Sequence, residues 1–287
     1  MQVGRAVGML AAELKGKVEL PRLEAEVLLA WATGLQREKL YAYPEKEISP
    51  LAWEQARAAA RRRAEGYPLQ YLTGKQEFMS LEFKVTPDVL IPRRETEVLV
   101  EAVLERVPPG RAWYACDVGT GCGAIAVSLG FYLSRSRIFA VDRSRAALDI
   151  ARENARRLGV DERITFALGD LLLPFLAGDL AMPPGGLDAV VSNPPYIPVP
   201  ELENLPPEVR HEPREALDGG ADGLAVYRRL IPQAALVLKP GGLLALEMGS
   251  HQGQAVGELV RASGAFKDPE ILPDYAGRDR CLLAYKK

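Results

Sequence analysis

The sequence predicts an α/β protein, in which a doubly wound parallel sheet follows a segment made of helices only. From Trp113 onward, short apolar runs alternate with stretches of helical periodicity, the pattern of a parallel sheet with helices on both faces. Before residue 74 the apolar residues recur at helical spacing, as Leu23, Val27 and Trp31 do. A chain of 287 residues is long enough for one large or two ordinary domains.

Apolar runs of strand length predict the strands of the sheet, and segments of helical periodicity lie between them. The predicted strands are 113–118, 137–141, 164–168, 187–192 and 243–247, with two weaker signals at 270–272 and 281–285. The predicted helices of this part are 95–107, 123–134, 144–158, 223–239 and 252–263.

The segment between the two parts has a different pattern. Residues 79–85 alternate apolar and polar side chains, which indicates a half-buried strand. The turn chemistry of Thr86-Pro87-Asp88 and the apolar run 89–91 then predict a hairpin. We therefore predict a helical domain at 1–73, a linking hairpin at 74–92 and an α/β domain at 93–287. The helical domain has no catalytic constellation, so we expect it to recognise the substrate.

Composition excludes several classes of function. The 36 basic and 38 acidic residues nearly balance, which argues against strong electrostatic attraction to nucleic acid. No apolar run is long enough to span a bilayer, and the first 20 residues lack the apolar centre of a signal peptide. Cys116, Cys122 and Cys281 are scattered without metal-ligand spacing. We expect a cytoplasmic protein that binds neither a membrane nor a metal.

Three strand ends carry residues suited to a nucleoside-containing cofactor. Asp117-Val118-Gly119-Thr120-Gly121-Cys122-Gly123 ends the first strand, and its glycines let the backbone approach a ligand closely. Asp142, about 20 residues further on, ends the second strand and can accept hydrogen bonds from a ribose. Asp170 and Leu171 follow the third, where they suit an adenine amino group and ring. These residues alone leave a dehydrogenase and a methyltransferase equally open.

The residues at the end of the fourth strand distinguish a methyltransferase from a dehydrogenase. Asn193-Pro194-Pro195-Tyr196 stops the strand, since proline has no N–H and a fixed φ. This corner presents two acceptors, the Asn193 side-chain oxygen and the Pro194 carbonyl, beside the aromatic face of Tyr196. They suit a planar group that carries an NH2, such as a carboxamide or an amino-base. A dehydrogenase has no use for this arrangement, whereas a methyltransferase acting on nitrogen needs it.

Further segments sharpen the match to a known family. They are Tyr-Leu-Thr-Gly at 71–74, Leu-Ile-Pro-Arg-Arg-Glu-Thr-Glu at 90–97 and Val-Arg-His-Glu-Pro at 209–213. Over nearly its whole length the chain resembles the peptide chain release factor glutamine methyltransferases. The resemblance implies an N-terminal helix bundle, a linking hairpin and a Rossmann-like, seven-stranded class I methyltransferase domain. It also implies that the final strand lies antiparallel between the fifth and the sixth.

The resemblance also implies a cofactor, a substrate and their contacts. The cofactor would be S-adenosyl-L-methionine, and the substrate would be the glutamine of the Gly-Gly-Gln loop of class I release factors. The implied cofactor contacts are Gly119, Thr120, Gly121, Cys122, Gly123, Asp142 and Leu171, and we predict Asp170 and Asn193 as further cofactor contacts. The implied glutamine contacts are Asn193, Pro194, Pro195 and Tyr196, with Leu90, Pro92 and Arg93 as the pocket wall; Asn193, Pro194 and Tyr196 would be catalytic.

Two alternatives remain open from the sequence. A methyltransferase acting on the exocyclic amino group of adenine or guanine would share the Asn193–Tyr196 motif, because that amino group is also planar. Such an enzyme usually needs a basic groove, which the balanced charge argues against. A non-catalytic module that retains the cofactor fold is less consistent with the intact motif.

Overall fold

The computed structural model describes residues 1–108, 110 and 112–287. These form two compact units, Met1–Lys75 with Pro206–His211, and Gln76–Leu205 with Glu212–Lys287. The first boundary falls close to the predicted end of the helical domain at residue 73. Nothing in the sequence indicated that Pro206–His211 belongs with the first unit, because this segment has the composition of an ordinary loop.

The first unit is helical, with α1 (Val3–Leu14), α2 (Pro21–Thr33), α3 (Arg37–Ala42), α4 (Pro50–Ala64) and α5 (Leu69–Thr73). Helix α4 starts after Ser49, because the Ser49 side chain accepts a hydrogen bond from the Ala52 N–H at 3.1 Å. Helix α2 ends at Gly34, whose φ of 67° suits a residue without a Cβ. Leu10, Leu14 and the neighbouring apolar residues of α1, α2 and α4 form the core of this unit.

A two-stranded hairpin follows, formed by β1 (Lys75–Phe78) and β2 (Leu81–Lys84). A turn does form at Thr86-Pro87-Asp88, where the Val89 N–H donates to the Thr86 carbonyl at 3.1 Å, but it is not the turn of the hairpin, and the prediction of a strand at 89–91 was wrong. The chain turns at Met79 and Ser80, which both adopt positive φ, 51° and 58°. Two consecutive left-handed residues make the tight turn that matches the twist of a hairpin. Residues 89–91 form no strand, and Val89 and Ile91 are buried in loop conformation.

The second unit contains a seven-stranded sheet. Its strands in chain order are β3 (Trp113–Val118), β4 (Ser136–Asp142), β5 (Ile164–Leu168), β6 (Leu187–Ser192), β7 (Leu238–Glu247), β8 (Glu270–Pro273) and β9 (Asp279–Tyr285). The spatial order is β5-β4-β3-β6-β7-β9-β8. Strand β9 pairs antiparallel with both β7 and β8, and the other pairs are parallel. The antiparallel insertion implied by the resemblance is therefore confirmed.

Helices accompany the sheet, namely α6 (Glu95–Leu104), α7 (Ala124–Tyr132), α8 (Arg145–Arg157), α9 (Leu173–Leu176), α10 (Ala225–Val237) and α11 (Gly253–Ala262). Every residue of β6 is buried, as expected of a strand covered on both faces. Within the described ranges, no helix has the length and apolar character that crossing a membrane requires.

The topology determines where a ligand can bind. Strand β3 lies between β4 and β6, so the chain order reverses beside it. Ligands of open α/β sheets bind at such a reversal, outside the carboxyl ends of the strands. The carboxyl ends of β3, β4, β5 and β6 are the four positions at which the sequence placed its candidate residues.

Candidate active site

The glycine loop after β3 has two glycines that face open space and one that supports packing. Gly119 and Gly121 have φ of 73° and 56°, and a Cβ on either would meet no atom within 4 Å. A Cβ on Gly123 would instead lie 3.1 Å from the Ala151 Cβ and from the Val127 Cγ2. The first two glycines therefore leave backbone accessible to a ligand, whereas the third allows α7 to pack closely against α8.

Asp142 connects the glycine loop to the end of β4. Its Oδ2 accepts the Gly121 N–H at 2.8 Å, and its Oδ1 accepts the Ser144 N–H at 2.8 Å. Burial raises the pKa of Asp142 above its ordinary value, although these two N–H groups oppose the rise. Each carboxylate oxygen has a further lone pair. The side chain is thus held in one orientation and can still accept two hydroxyl groups.

The side chains of Thr120 and Cys122 serve the loop itself. The Thr120 hydroxyl donates to Asp117 Oδ2 at 2.6 Å, and the Ala126 N–H donates to the same oxygen at 3.0 Å. Burial raises the pKa of Asp117 to about 7, in spite of these two hydrogen bonds. Cys122 is buried, its carbonyl accepts the Asn154 Nδ2–H at 2.9 Å, and burial raises its thiol pKa to about 12. Both side chains point toward the protein interior.

Asp170 and Leu171 lie after β5. Asp170 forms an ion pair with Arg229, and about half of each side chain is exposed. Leu171 has a φ of 54°, which is uncommon for a residue with a Cβ. Its side chain packs partly against the core cluster and also lines the cleft. The left-handed backbone directs this apolar side chain to the position where the sequence expects an adenine ring.

Asn193 follows β6 and is anchored to the start of α6. Its Nδ2 donates to Thr96 Oγ1 at 3.1 Å, which leaves Oδ1 at the other end of the same amide. Asn193 and Pro195 line the cleft, whereas Pro194 is buried. The hydrogen bond to Thr96 was not foreseen, although Thr96 lies in the Glu-Thr-Glu segment that supported the family resemblance.

The backbone after Pro195 is held from several sides. Gln252 is buried, and its Nε2 donates to the Tyr196 carbonyl at 3.0 Å. The Ile197 N–H donates to the Leu217 carbonyl at 3.0 Å, and the Gly219 N–H donates to the Ile197 carbonyl at 2.9 Å. Burial, followed by the charge of Glu247, raises the pKa of Tyr196. Tyr196 therefore stays a neutral phenol whose backbone has a fixed position.

The segment 90–93 is held by a buried carboxylate. Glu212 accepts the Ile91 N–H at 3.1 Å and forms an ion pair with Arg93. Leu90 lines the cleft and Pro92 is buried. Arg93 thus has its charge compensated by Glu212, and Leu90 is the member of this segment that forms the cleft wall.

One cleft of the second unit collects eight of the predicted residues. These are Leu90, Gly119, Gly121, Asp142, Asp170, Leu171, Asn193 and Pro195. The predicted residues outside its lining are Pro92, Arg93, Thr120, Cys122, Gly123, Pro194 and Tyr196. Sequence reasoning missed three supporting residues, Thr96, Glu212 and Gln252, because each acts through a partner distant in the chain.

The chemistry of the cleft fits S-adenosyl-L-methionine. Open backbone at Gly119 and Gly121 can approach an amino-acid end, and the Asp142 carboxylate can accept ribose hydroxyls. Leu171 offers an apolar surface to an adenine. Within residues 1–108, 110 and 112–287, no group of three or more His, Cys, Asp or Glu residues could hold a metal ion. The fold and the cleft together define a class I methyltransferase that depends on S-adenosyl-L-methionine.

Comparison with known proteins narrows this class. The family descriptions "PrmC N-terminal domain" and "Methyltransferase domain" match residues 6–74 and 112–270. The release factor glutamine methyltransferase of Moorella thermoacetica is 59% identical over 99% of this chain and 97% of its own. That of Geobacter sulfurreducens is 45% identical, over 92% of this chain and 89% of its own. The chain belongs to the family of release factor glutamine methyltransferases.

A solved structure supports the fold independently. The hMettl16 catalytic domain, in complex with MAT2A 3'UTR hairpin 1, superimposes with a TM-score of 0.58. The match covers 79% of this chain and 80% of that chain at 16% sequence identity. At this identity the likeness concerns the fold alone.

Proposed function

We propose that the protein transfers the methyl group of S-adenosyl-L-methionine to the side-chain amide nitrogen of a glutamine. The substrate is the glutamine of the Gly-Gly-Gln motif in class I peptide chain release factors. Family membership supports the substrate. The observation that supports the chemistry most directly is the anchored Asn193 amide at the cleft, with Nδ2 bound to Thr96 and Oδ1 available for a substrate N–H.

The chemical difficulty is the poor nucleophilicity of an amide nitrogen, whose lone pair is delocalised into the carbonyl. S-adenosyl-L-methionine, when bound, supplies a methyl group that is already strongly electrophilic. The contribution of the protein is therefore alignment, and stabilisation of positive charge on the substrate nitrogen until that nitrogen, having gained the methyl group, loses one proton to water. Asn193 lines the cleft, and its Oδ1 accepts one N–H of the glutamine amide. Pro194 and Tyr196 lie outside the cleft lining, so the Pro194 carbonyl as second acceptor and Tyr196 as the face that contacts the amide stay predictions from the sequence.

The cofactor would be held by residues of three strand ends. Backbone at Gly119 and Gly121 receives its amino-acid part, Asp142 accepts the ribose hydroxyls, and Leu171 covers the adenine. The Asp170 carboxylate accepts a hydrogen bond from the adenine amino group. It does so through lone pairs that its ion pair with Arg229 does not use. The indirect roles of Thr120, Cys122 and Gly123 are to keep the loop in its open conformation.

We assign recognition of the release factor body to the helical unit. Its surface exposes large apolar side chains such as Leu20, Tyr41 and Leu51, which suit a protein partner. Arg57 and Arg61 are about half exposed and share the carboxylate of Glu13. A single glutamine side chain offers little area, whereas specific protein docking generally buries roughly 1,200–2,000 Å² in total. Selectivity for one glutamine therefore requires a second surface of this kind.

The balanced charge also supports a protein substrate over a nucleic acid. Groove binding to nucleic acid depends on neutralising phosphates with clustered Lys and Arg, and the net charge of this chain is −2. Release factors act in translation, so the cytoplasm is the compartment in which the enzyme would meet them.

The test is transfer of a labelled methyl group to purified release factor. The wild-type protein should label full-length release factor, and a factor with Asn in place of the Gly-Gly-Gln glutamine should stay unlabelled. Bulk RNA and DNA serve as competing substrates. Preferential labelling of either nucleic acid would refute the proposal.

The Asn193 variants test the chemistry. Asn193→Ala should reduce kcat strongly and leave cofactor affinity nearly unchanged, because the lost acceptor matters most when the substrate nitrogen gains charge. Asn193→Asp retains an acceptor and should keep partial activity. Turnover of Asn193→Ala at the native rate would show that this amide does not hold the substrate.

A further inference from the structure

The Gln252 side chain joins three backbone segments at one end of the sheet. Gln252 immediately precedes α11 and is 3% exposed. Its Oε1 accepts the Gly249 N–H at 2.9 Å, and its Nε2 donates to the Tyr196 carbonyl at 3.0 Å and to the Gly223 carbonyl at 3.4 Å. These partners lie after β7, after β6 and before α10. One buried amide therefore connects all three segments.

The chemistry of the three partners determines which way the amide points. A backbone N–H can donate but cannot accept a hydrogen bond, and a backbone carbonyl can accept but cannot donate one. A glutamine amide has two N–H donors and one oxygen acceptor. A single orientation therefore satisfies both carbonyls with the NH2 group and the Gly249 N–H with Oε1. An ionised carboxylate in the same place would have no hydrogen to give to either carbonyl.

The backbone around the amide is shaped to admit it. Gly223 has a φ of 76°, and a Cβ at this position would lie 2.6 Å from Gln252 Nε2. The same Cβ would overlap the carbonyl oxygen of Tyr196. The close approach of these two carbonyls to one NH2 group thus depends on a glycine at 223.

The position of Tyr196 determines the position of the residues before it. Tyr196 follows Pro194-Pro195, whose rings fix φ at both residues, so this part of the chain is stiff. Asn193 precedes the two prolines and lines the cleft. Ser192, one residue earlier, pairs with β7 in the sheet. The cleft residue is therefore held between the sheet on one side and the hydrogen bond from Gln252 on the other.

We propose that Gln252 is a positioning residue for methyl transfer, which holds Asn193 in place at the cleft through the Tyr196 carbonyl. Gln252 itself lies outside the cleft lining, so its effect on turnover is indirect. The inference rests on the proposed function, because in that function Asn193 holds the substrate amide.

The first experiment removes the hydrogen bonds and keeps the size of the side chain. Gln252→Met has nearly the same length but no NH2 group. We expect kcat to fall on the order of tenfold to a hundredfold, because a displacement near 1 Å can cost about a hundredfold in turnover. Cofactor Kd, measured by calorimetry, should stay within a few-fold of the wild type, since Gly119, Gly121 and Asp142 lie at other strand ends. A merely structural role would instead reduce cofactor binding and kcat in parallel.

The matched control is a second glutamine of the same helix. Gln254 lies in α11, is exposed, and its Nε2 donates to Glu258 at 2.9 Å. Gln254→Met removes a hydrogen bond of the same kind from the surface of the helix. Its kcat should equal that of the wild type.

Gln252→Glu adds a signature that depends on pH. Burial beside two carbonyl oxygens favours the neutral form of the introduced carboxyl group and raises its pKa. The neutral form can donate to the Tyr196 carbonyl and accept the Gly249 N–H, whereas the ionised form has no donor. The kcat of Gln252→Glu relative to that of Gln252→Met should therefore rise as the pH is lowered from about 8.5 to about 6. Both variants keep the charged neighbours Glu247, Asp279 and Arg280, whose titration therefore affects both alike.

Two results would overturn the proposal. One is native kcat in a Gln252→Met variant that urea unfolding shows to be folded, and the other is a kcat ratio of the two variants that does not change with pH. If Gln252→Met does not fold, the pH dependence of Gln252→Glu relative to the wild type decides. Wild-type activity on release factor tests the proposed function separately. The ratios can be measured on any amide or amino substrate that the wild type methylates, so the two failures are distinguishable.

Discussion

Replacing Gly219 with alanine should displace the backbone of Tyr196, against which Gly219 packs. A Cβ at this position would lie 2.8 Å from the Tyr196 Cα, the Tyr196 carbonyl carbon and the Gly223 Cα. All three are backbone atoms, so no side-chain rotation can relieve the contact. Ordinary contact begins near 3.4 Å, so backbone must move by about 0.6 Å. Tyr196 is held at its carbonyl by Gln252, and its displacement would move the acceptors that precede it.

The size of the effect can be estimated from this displacement. Overpacking of a tight site typically costs about 1–3 kcal/mol of unfolding free energy. A misplacement near 1 Å can reduce turnover about a hundredfold. For Gly219→Ala we expect a loss in kcat of roughly tenfold to a hundredfold. Cofactor affinity should change little, because the glycine loop and Asp142 lie on other strands.

The assay combines urea unfolding with steady-state kinetics at saturating cofactor. Gly130→Ala is the matched control, because its Cβ would make ordinary contacts from 3.5 Å with Ile164. Alanine is favoured over glycine within a helix by up to about 1 kcal/mol. The control should therefore be at least as stable as the wild type and fully active. Native kcat in a folded Gly219→Ala variant would refute the link between this glycine and the substrate site.

Two further predictions concern the carboxyl groups of Asp142, Glu247 and Asp117. Asp142→Ala should weaken cofactor binding by about 1–3 kcal/mol through loss of charge-assisted hydrogen bonds, and unchanged affinity by calorimetry would remove Asp142 from the site. The pKa values of Glu247 and Asp117 are raised by burial to about 7 from 4.5 and 3.8, so the folded state binds their protons more tightly. Their contribution to the unfolding free energy is full below about pH 4 and is lost as the pH rises to about 7. Urea unfolding should show that the unfolding free energy falls between pH 5 and pH 7.5. Glu247→Gln should remove the part of this fall that Glu247 causes, on the order of 3 kcal/mol. An equal fall in the variant would contradict the raised pKa of Glu247.

Sequence reasoning located the strands of the sheet and the residues at their ends because both signals are local. An apolar run that stops at glycine, proline or aspartate indicates a strand end, and parallel strands bring such ends together. The cleft accordingly collects Gly119, Asp142 and Asn193. The direction of each side chain in the glycine loop depends on tertiary contacts and not on the neighbouring sequence. Thr120 faces inward because Asp117 is buried beneath it, and no spacing pattern reveals that burial.

The other differences between the predicted and the observed structure have similar causes. The hairpin turn was misplaced because Met79 and Ser80 adopt left-handed backbone without glycine or asparagine to signal it. The hydrogen bond between Asn193 and Thr96 joins two elements that are far apart in the chain. Long-range pairing of this kind depends on the sheet order. The order included an antiparallel strand that only the family resemblance suggested.

The antiparallel insertion of β9 has a consequence for how the enzyme is made. Strands leave the ribosome in chain order, so β7 and β8 are synthesised before the strand that lies between them. Until β9 emerges, one edge of β7 is unpaired, and β8 has no neighbour in the sheet. Glu247 pairs with Cys281 of β9, so Glu247 becomes fully buried only after β9 has been synthesised. A nascent chain can therefore form its glycine loop early, but the carboxyl end of β7 gains its second neighbour only when β9 has been synthesised.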